Sequence, residues 1–104
     1  VRWAKDNAAR FGGDVSKLLV SGHSAGAYNA VSLATDRRWL AEVKLDASQD
    51  IAGVIGIAGP YDFLPLEAEN LKTIFGPEEK RPATQPINYV DGKEPPMPSL
   101  PTAI

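Results

Sequence analysis

The sequence predicts an α/β fold built on a βαβ unit, two buried parallel strands joined by a helical crossover. Three observations carry this reading. Leu18-Leu19-Val20 is an apolar run too short for a helix. Ala27, Ala30, Val31 and Ala34 then recur at helical spacing, and Ile51 to Ala58 (IAGVIGIA) is a second short run rich in β-branched residues.

Taken in order, Val1, Ala4, Ala8 and Phe11 fall on one face of a helix, and Gly12-Gly13 supplies its stop. Trp3 and Phe11 are expected to pack on the sheet. Asp14 to Lys17 is a polar connection into the first strand, which ends at Ser21-Gly22. The small-residue helix starts at Ala25 and runs to about Asp36, with Tyr28 buried in its first turn. Arg37 to Asp50 is mixed and polar, with room for a short helix around Trp39 to Val43. Gly59-Pro60 stops the second strand. Leu71 to Phe75 adds a helical turn or two, closed by Gly76-Pro77. Asp36-Arg37-Arg38 and Glu78-Glu79-Lys80-Arg81 read as solvated charge clusters. There are no internal repeats.

With 104 residues, 43% hydrophobic and 23% charged, the chain fits one small globular domain. The domain is assigned to residues 1–92, and residues 93–104 form a proline-rich tail foreign to it. A net charge of -2 gives no basic footprint and argues against a nucleic-acid partner. No apolar run is long enough for a membrane span. Cysteine is absent, which excludes disulfides and thiolate metal sites. The chain opens on Val1 directly in a helical pattern, so it reads as a fragment whose beginning lies upstream; its assignment is cytoplasmic.

The chemistry concentrates in Gly22-His23-Ser24-Ala25-Gly26. Strand, then Gly-x-Ser-x-Gly, then helix is a nucleophile elbow. So sharp a turn forces the serine into a strained backbone conformation and lifts its Oγ above the sheet edge. A side chain at either Gly22 or Gly26 is expected to collide with neighbouring backbone. The helix begins directly behind Ser24, and the Ala25 N–H is the expected oxyanion donor. The alternative is a structural serine in a tight βα turn, and the flanking strand and helix favour the nucleophile.

Two stretches, LLVSGHSAGAYNAVSLATD and IAGVIGIAGPYDFLPL, resemble the α/β-hydrolase superfamily. They are similar to its carboxylesterase and kynurenine-formamidase-like branch, in which the turn Gly59-Pro60-Tyr61-Asp62-Phe63 follows the second strand. FGGD, Phe11 to Asp14, is also typical of that branch. The likeness covers about Val1 to Gly92. It implies the central parallel βαβ slice of an α/β-hydrolase fold with flanking helices, and a small-molecule carboxylic ester attacked by Ser24. It implies neither metal nor organic cofactor. Tyr61 and Phe63 stand near the carboxyl ends of the strands, where open α/β sheets bind ligands, and are candidates for the substrate pocket.

The resemblance also exposes departures. The second oxyanion loop of the family has no counterpart before the elbow. After VDGKEPPM (Val90 to Met97) the family continues into an apolar strand and a turn bearing the triad acid, with the histidine later still. Here Pro98 and Pro101 follow, and two prolines in four residues are incompatible with a buried parallel strand. His23 is the only histidine, and in an elbow it faces away from the serine. Asp62 is expected to cap a short helix rather than serve as the triad acid. The chain therefore reads as a serine esterase lacking acid and base, inactive alone. A non-catalytic remnant serving as an interaction surface, and a transferase using another acyl acceptor, remain open. Oligomeric state and the choice between ester and formamide stay unassigned.

Overall fold

The N-terminal helical face forms as two pieces in the computed structural model, which describes residues 1–100. Helix α1 spans Arg2–Asn7 and tightens into a 3-10 turn, Ala8–Phe11. Gly12 closes it in the left-handed conformation at φ 82°, its N–H and that of Gly13 returning to the Ala9 and Ala8 carbonyls. Trp3 and Phe11 do not reach the sheet. They are 66% and 70% exposed, with ring centroids 6.1 Å apart, so they cover each other at the surface.

Strand β1 (Leu19–His23) pairs in parallel with β2 (Gly53–Ile57), Leu19 opposite Gly53 and His23 opposite Ile57. The βαβ unit is present as expected. However, among the described residues β1 has a neighbouring strand on one side only and Leu19 is 62% exposed, so within them the first strand is not buried as expected. The buried strand is β2, which has a neighbour on each side and carries Val54 at full burial.

Between the strands lies α2 (Ala25–Thr35), whose Ala27, Ala30, Val31 and Ala34 are all buried. Alanines on that face let the helix backbone lie close to the sheet, and Leu40, Leu45, Ala47 and Ile51 complete the core. The crossover holds α3 (Arg38–Ala41), close to expectation, and α4 (Ala47–Asp50), which was not expected. A single turn this short has no periodicity to read. Its start is set by Asp46, whose carboxylate accepts from the Ser48 N–H at 2.8 Å. Helix α5 (Glu69–Phe75) and 3-10 segments at Glu78–Thr84 and Pro86–Tyr89 then wrap back over α2.

The proline-rich stretch is not excluded from the sheet. β3 (Ser99–Leu100) pairs in parallel with β2 on the side opposite β1. The N–H groups of Val54 and Gly56 donate to the carbonyls of Pro96 and Pro98 at 2.9 and 3.3 Å. Pro96 and Pro98 have no N–H, so they accept in this ladder and cannot donate back to β2. Pro96 and Pro98 are exposed, which places them on an edge strand where proline is tolerated. The prolines thus rule out a buried strand without ruling out pairing. Residues 101–104 of the expected tail, Pro101 included, lie outside the described residues.

The turn from β1 to α2 is closed by backbone against backbone. A Cβ on Gly22 would overlap the carbonyl carbon and oxygen of Gly26 and come within 2.6 Å of the Ala27 nitrogen. A Cβ on Gly26 meets nothing within 4 Å, which corrects the expectation that both glycines are sterically required. Gly26 matters as the wall against which Gly22 lies. Gly22→Ala should therefore destabilise the fold by about 3 kcal/mol, as overpacking that only a backbone shift can relieve. Gly26→Ala should be neutral or stabilising by up to about 1 kcal/mol, the usual helix-propensity gain. Paired denaturant unfolding curves check both.

Asp36, expected in a solvated cluster, is only 4% exposed. Its carboxylate accepts from Arg38 Nε and Nη2 at 2.9 and 2.7 Å and from the Arg38 N–H at 3.2 Å. The Arg38 hydrogen bond holds its pKa below the ordinary 3.8, against the opposing effect of burial. A carboxylate depressed in the folded state stabilises fully above its unfolded value and loses that contribution as pH falls through the folded one. Stability should therefore drop from about pH 4 downward. Asp14, Asp46 and Asp91 are shifted the same way, so the substitution isolates one share. Asp36→Asn should cost about 1–3 kcal/mol at pH 7 and flatten part of the acid limb in melts between pH 3 and 7.

Candidate active site

Ser24 stands between the last residue of β1 and the first residue of α2, at φ 54° and ψ −116°. This conformation is strained for a residue with a Cβ, and such strain costs about 1–3 kcal/mol. It persists because its surroundings hold it. The Ser24 N–H donates to the Ile57 carbonyl of β2 at 2.8 Å, and the Ser24 carbonyl accepts the Tyr28 N–H at 3.1 Å. Gly22 packed on Gly26 leaves the chain no room to relax. The serine side chain is exposed.

Ala25 opens the eleven-residue helix α2. Its N–H is one of the first-turn donors that an α-helix cannot satisfy internally, and the positive end of the helix dipole lies there. An oxygen carrying negative charge beside Ser24 would meet both. This is the arrangement expected of an oxyanion donor.

A cleft of about 760 Å³ opens over the elbow. Ser24, Ala25, Tyr28 and Asn29 form one wall; Pro60, Phe63, Pro65 to Ala68 and the α5 residues Leu71, Ile74 and Phe75 form the other. Its lining is mostly apolar, with Ser24, Asn29 and Glu67 as the polar groups. Tyr28, Phe63 and Phe75 meet edge to face, with centroids 5.2 to 5.9 Å apart. The loop carrying Phe63 is fixed from below. Gln85, 1% exposed, accepts the Phe63 N–H on Oε1 at 2.9 Å, and the Ile87 N–H donates to the Tyr61 carbonyl at 3.1 Å.

Of the candidates named from sequence, Ser24, Ala25 and Phe63 come together at this cleft. Tyr61 does not. Its ring lies against Gly59, and its hydroxyl occupies the space that a Cβ on Gly56 would need. The two glycines of the strand end open a slot that draws the ring inward, away from the cleft. The Tyr61 hydroxyl is buried with no hydrogen-bond partner among the described residues. Asp62 is exposed, and among the described residues it makes no hydrogen bond, so it does not act as a helix cap. The next helix begins only at Glu69.

Tyr28 is half-buried rather than enclosed. Its hydroxyl donates to the Thr84 carbonyl at 2.6 Å, and burial raises its pKa above the ordinary 10.0, so it remains a donor at neutral pH. Tyr28, Leu71, Ile74, Phe75 and Gln85 were not among the candidates. Tyr28 lies one helical turn after Ser24, where the spacing alone could have pointed to it; the others enter by tertiary contact across 22 residues of chain or more, for which the local pattern carries no signal. His23 is exposed. Among the described residues no Asp, Glu or His side chain hydrogen-bonds the Ser24 hydroxyl. Also among them, no three His, Cys, Asp or Glu side chains gather as a metal site, and no helix is long and apolar enough to cross a membrane.

Comparison with known proteins bears on this site. A protein-family model described as BD-FAE matches residues 1–99, elbow and cleft included. Esterase LipC of Mycobacterium tuberculosis (strain ATCC 25618 / H37Rv) is 33% identical over 66 residues, which is 61% of this chain and 16% of that protein. The chain thus spans about one sixth of the length of this curated relative. No solved structure matches. Since the family model covers nearly the whole chain, the protein belongs to the BD-FAE family, an esterase-like family of α/β-hydrolases.

Proposed function

We propose that the protein is a serine hydrolase of carboxylic esters, with Ser24 as nucleophile and the Ala25 N–H as one oxyanion donor. The observation that carries the reading is the backbone of Ser24. A non-glycine residue at φ 54°, between a parallel strand and the helix behind it, is the geometry that presents a serine hydroxyl to a ligand. The apolar cleft above it and the esterase-like family agree. On the same reading, β1, α2 and β2 are the central slice of an α/β-hydrolase sheet.

The chemistry is acyl transfer in two steps. The Ser24 Oγ attacks the ester carbonyl as a base removes its proton, and the carbonyl oxygen becomes an oxyanion beside the Ala25 N–H and the α2 N-terminus. The carbonyl re-forms, the C–O bond to the alcohol breaks, and the alcohol leaves with the proton. Water then attacks the acyl-enzyme in the same way and releases the acid. Phe63 and the α5 residues line the space beside the reacting carbon. The base is the part with no assigned side chain, because no His, Asp or Glu bonds Ser24 among the described residues. That observation favours the second reading, a hydrolase piece whose serine has no partner and whose surface serves binding alone.

Two measurements separate these readings. In the full-length gene product containing these residues, an ethyl fluorophosphonate should label Ser24, and Ser24→Ala should abolish the label. Labelling at another serine, or none, overturns the nucleophile. The isolated 104-residue chain should hydrolyse nitrophenyl acetate no faster than its Ser24→Ala variant. Triad residues act as a unit, and the loss of a base in such sites is on the order of 10⁶ in rate. A Ser24-dependent burst from that chain would mean that a base is already in place.

A further inference from the structure

A second cleft, of about 360 Å³, lies on the other side of Tyr28. It runs along the same face of α2, between Ser32, Leu33 and Asp36 on the helix and Ala83, Thr84, Pro86 and Tyr89 on the returning 3-10 segments. Tyr28 and Asn29 line both clefts. Tyr28 is the larger of the two and the one held from both sides. Its ring stands edge-on to Phe63 and Phe75, which bound the Ser24 cleft and the loop and helix around it. Its hydroxyl donates at 2.6 Å to the carbonyl of Thr84, which bounds the other. A side chain pinned in this way at its ring and its tip forms a fixed partition rather than a swinging one.

We propose that Tyr28 is a specificity-determining residue: it closes the Ser24 cleft along α2 and so limits the length of the apolar chain a substrate can place beside the serine. The inference rests on Ser24 being the nucleophile. Removal of the ring joins the clefts into one groove that continues along α2 past Ser32 toward Asp36. The far cleft is lined by apolar and aromatic surface from Leu33, Trp39, Pro86 and Tyr89, so an alkyl chain entering it is transferred from water to apolar contact. Each further methylene buried there should improve reaction about fourfold, the factor that corresponds to about 0.8 kcal/mol per CH₂.

The test is labelling of Ser24 in the full-length gene product by ethyl, octyl and dodecyl fluorophosphonates, read as the ratio of dodecyl to ethyl rate. The ethyl probe needs none of the far cleft. If it fails to label Ser24 in the unchanged protein, the nucleophile is wrong and the partition falls with it. Where ethyl labels, Tyr28→Ala should raise the dodecyl-to-ethyl ratio at least tenfold, and Tyr28→Phe, which keeps the ring, should leave it near its starting value. A ratio within twofold of the unchanged protein in Tyr28→Ala overturns the partition. If Tyr28→Ala also loses ethyl labelling, Tyr28→Leu takes its place under the same criteria, because leucine keeps apolar contact with Phe63 and Phe75. Ala83→Phe, in the far cleft alone, gives a check that leaves Tyr28 intact. It should not change the ratio; a fall in dodecyl labelling would mean the clefts already communicate, which also overturns the proposal.

Discussion

Everything at this site depends on one close approach, the backbone of Gly22 against that of Gly26. A strand can pass into a helix within one residue only if the two backbones meet there without a side chain between them. That closure puts Ser24 at positive φ, and positive φ turns its hydroxyl out of the sheet while α2 begins behind it. The same turn lets the Ser24 N–H reach the Ile57 carbonyl, so the strained residue is tied to the most buried strand of the sheet. Strain is retained where the surroundings determine the conformation more strongly than the local backbone does.

From that turn, the alanines of α2 carry the constraint outward. Small residues on the sheet-facing side bring the helix close enough for its opposite side to take part in two clefts. The distant segment Thr84 to Ile87 then supports both the helix and the loop after β2, through Gln85 to Phe63 and Tyr28 to Thr84. A buried glutamine with its amide oxygen engaged is a costly group to displace, because its unpaired polar atoms would remain in a dry site. The walls of the cleft are thereby positioned by hydrogen bonds that lie outside it.

At the far end of α2 the same principle appears with charge. Asp36 is buried at the helix end because the fork of Arg38 meets its carboxylate there. The Arg38 Nη2 also donates to the Tyr89 hydroxyl at 2.8 Å, which in turn donates to the Ala83 carbonyl at 2.7 Å. Arg38 lies over the Tyr89 ring as well, 5.2 Å from its centroid. The polar end of α2 and the 3-10 segments that form the second cleft are thus one connected assembly, although most of its members are exposed.

The residues themselves determined the elbow, the two principal strands and α2, because each of these rests on local rules. Glycine spacing, the change from an apolar run to a helical stripe, and the second β-branched run are all written within a few residues of where they act. Gly22 could be assigned from sequence because its constraint comes from residues four and five positions away; Gly26 could not, because its freedom depends on which side of the turn is open. The exposure of Leu19 on β1, the pairing of a proline-bearing strand, the burial of Asp36 and the inward turn of Tyr61 were decided by tertiary structure. Each depends on which distant segment occupies the neighbouring space, and neither periodicity nor propensity encodes that. The cleft belongs to the same class, since its two walls come from α2 and from α5, segments that meet only when the chain folds.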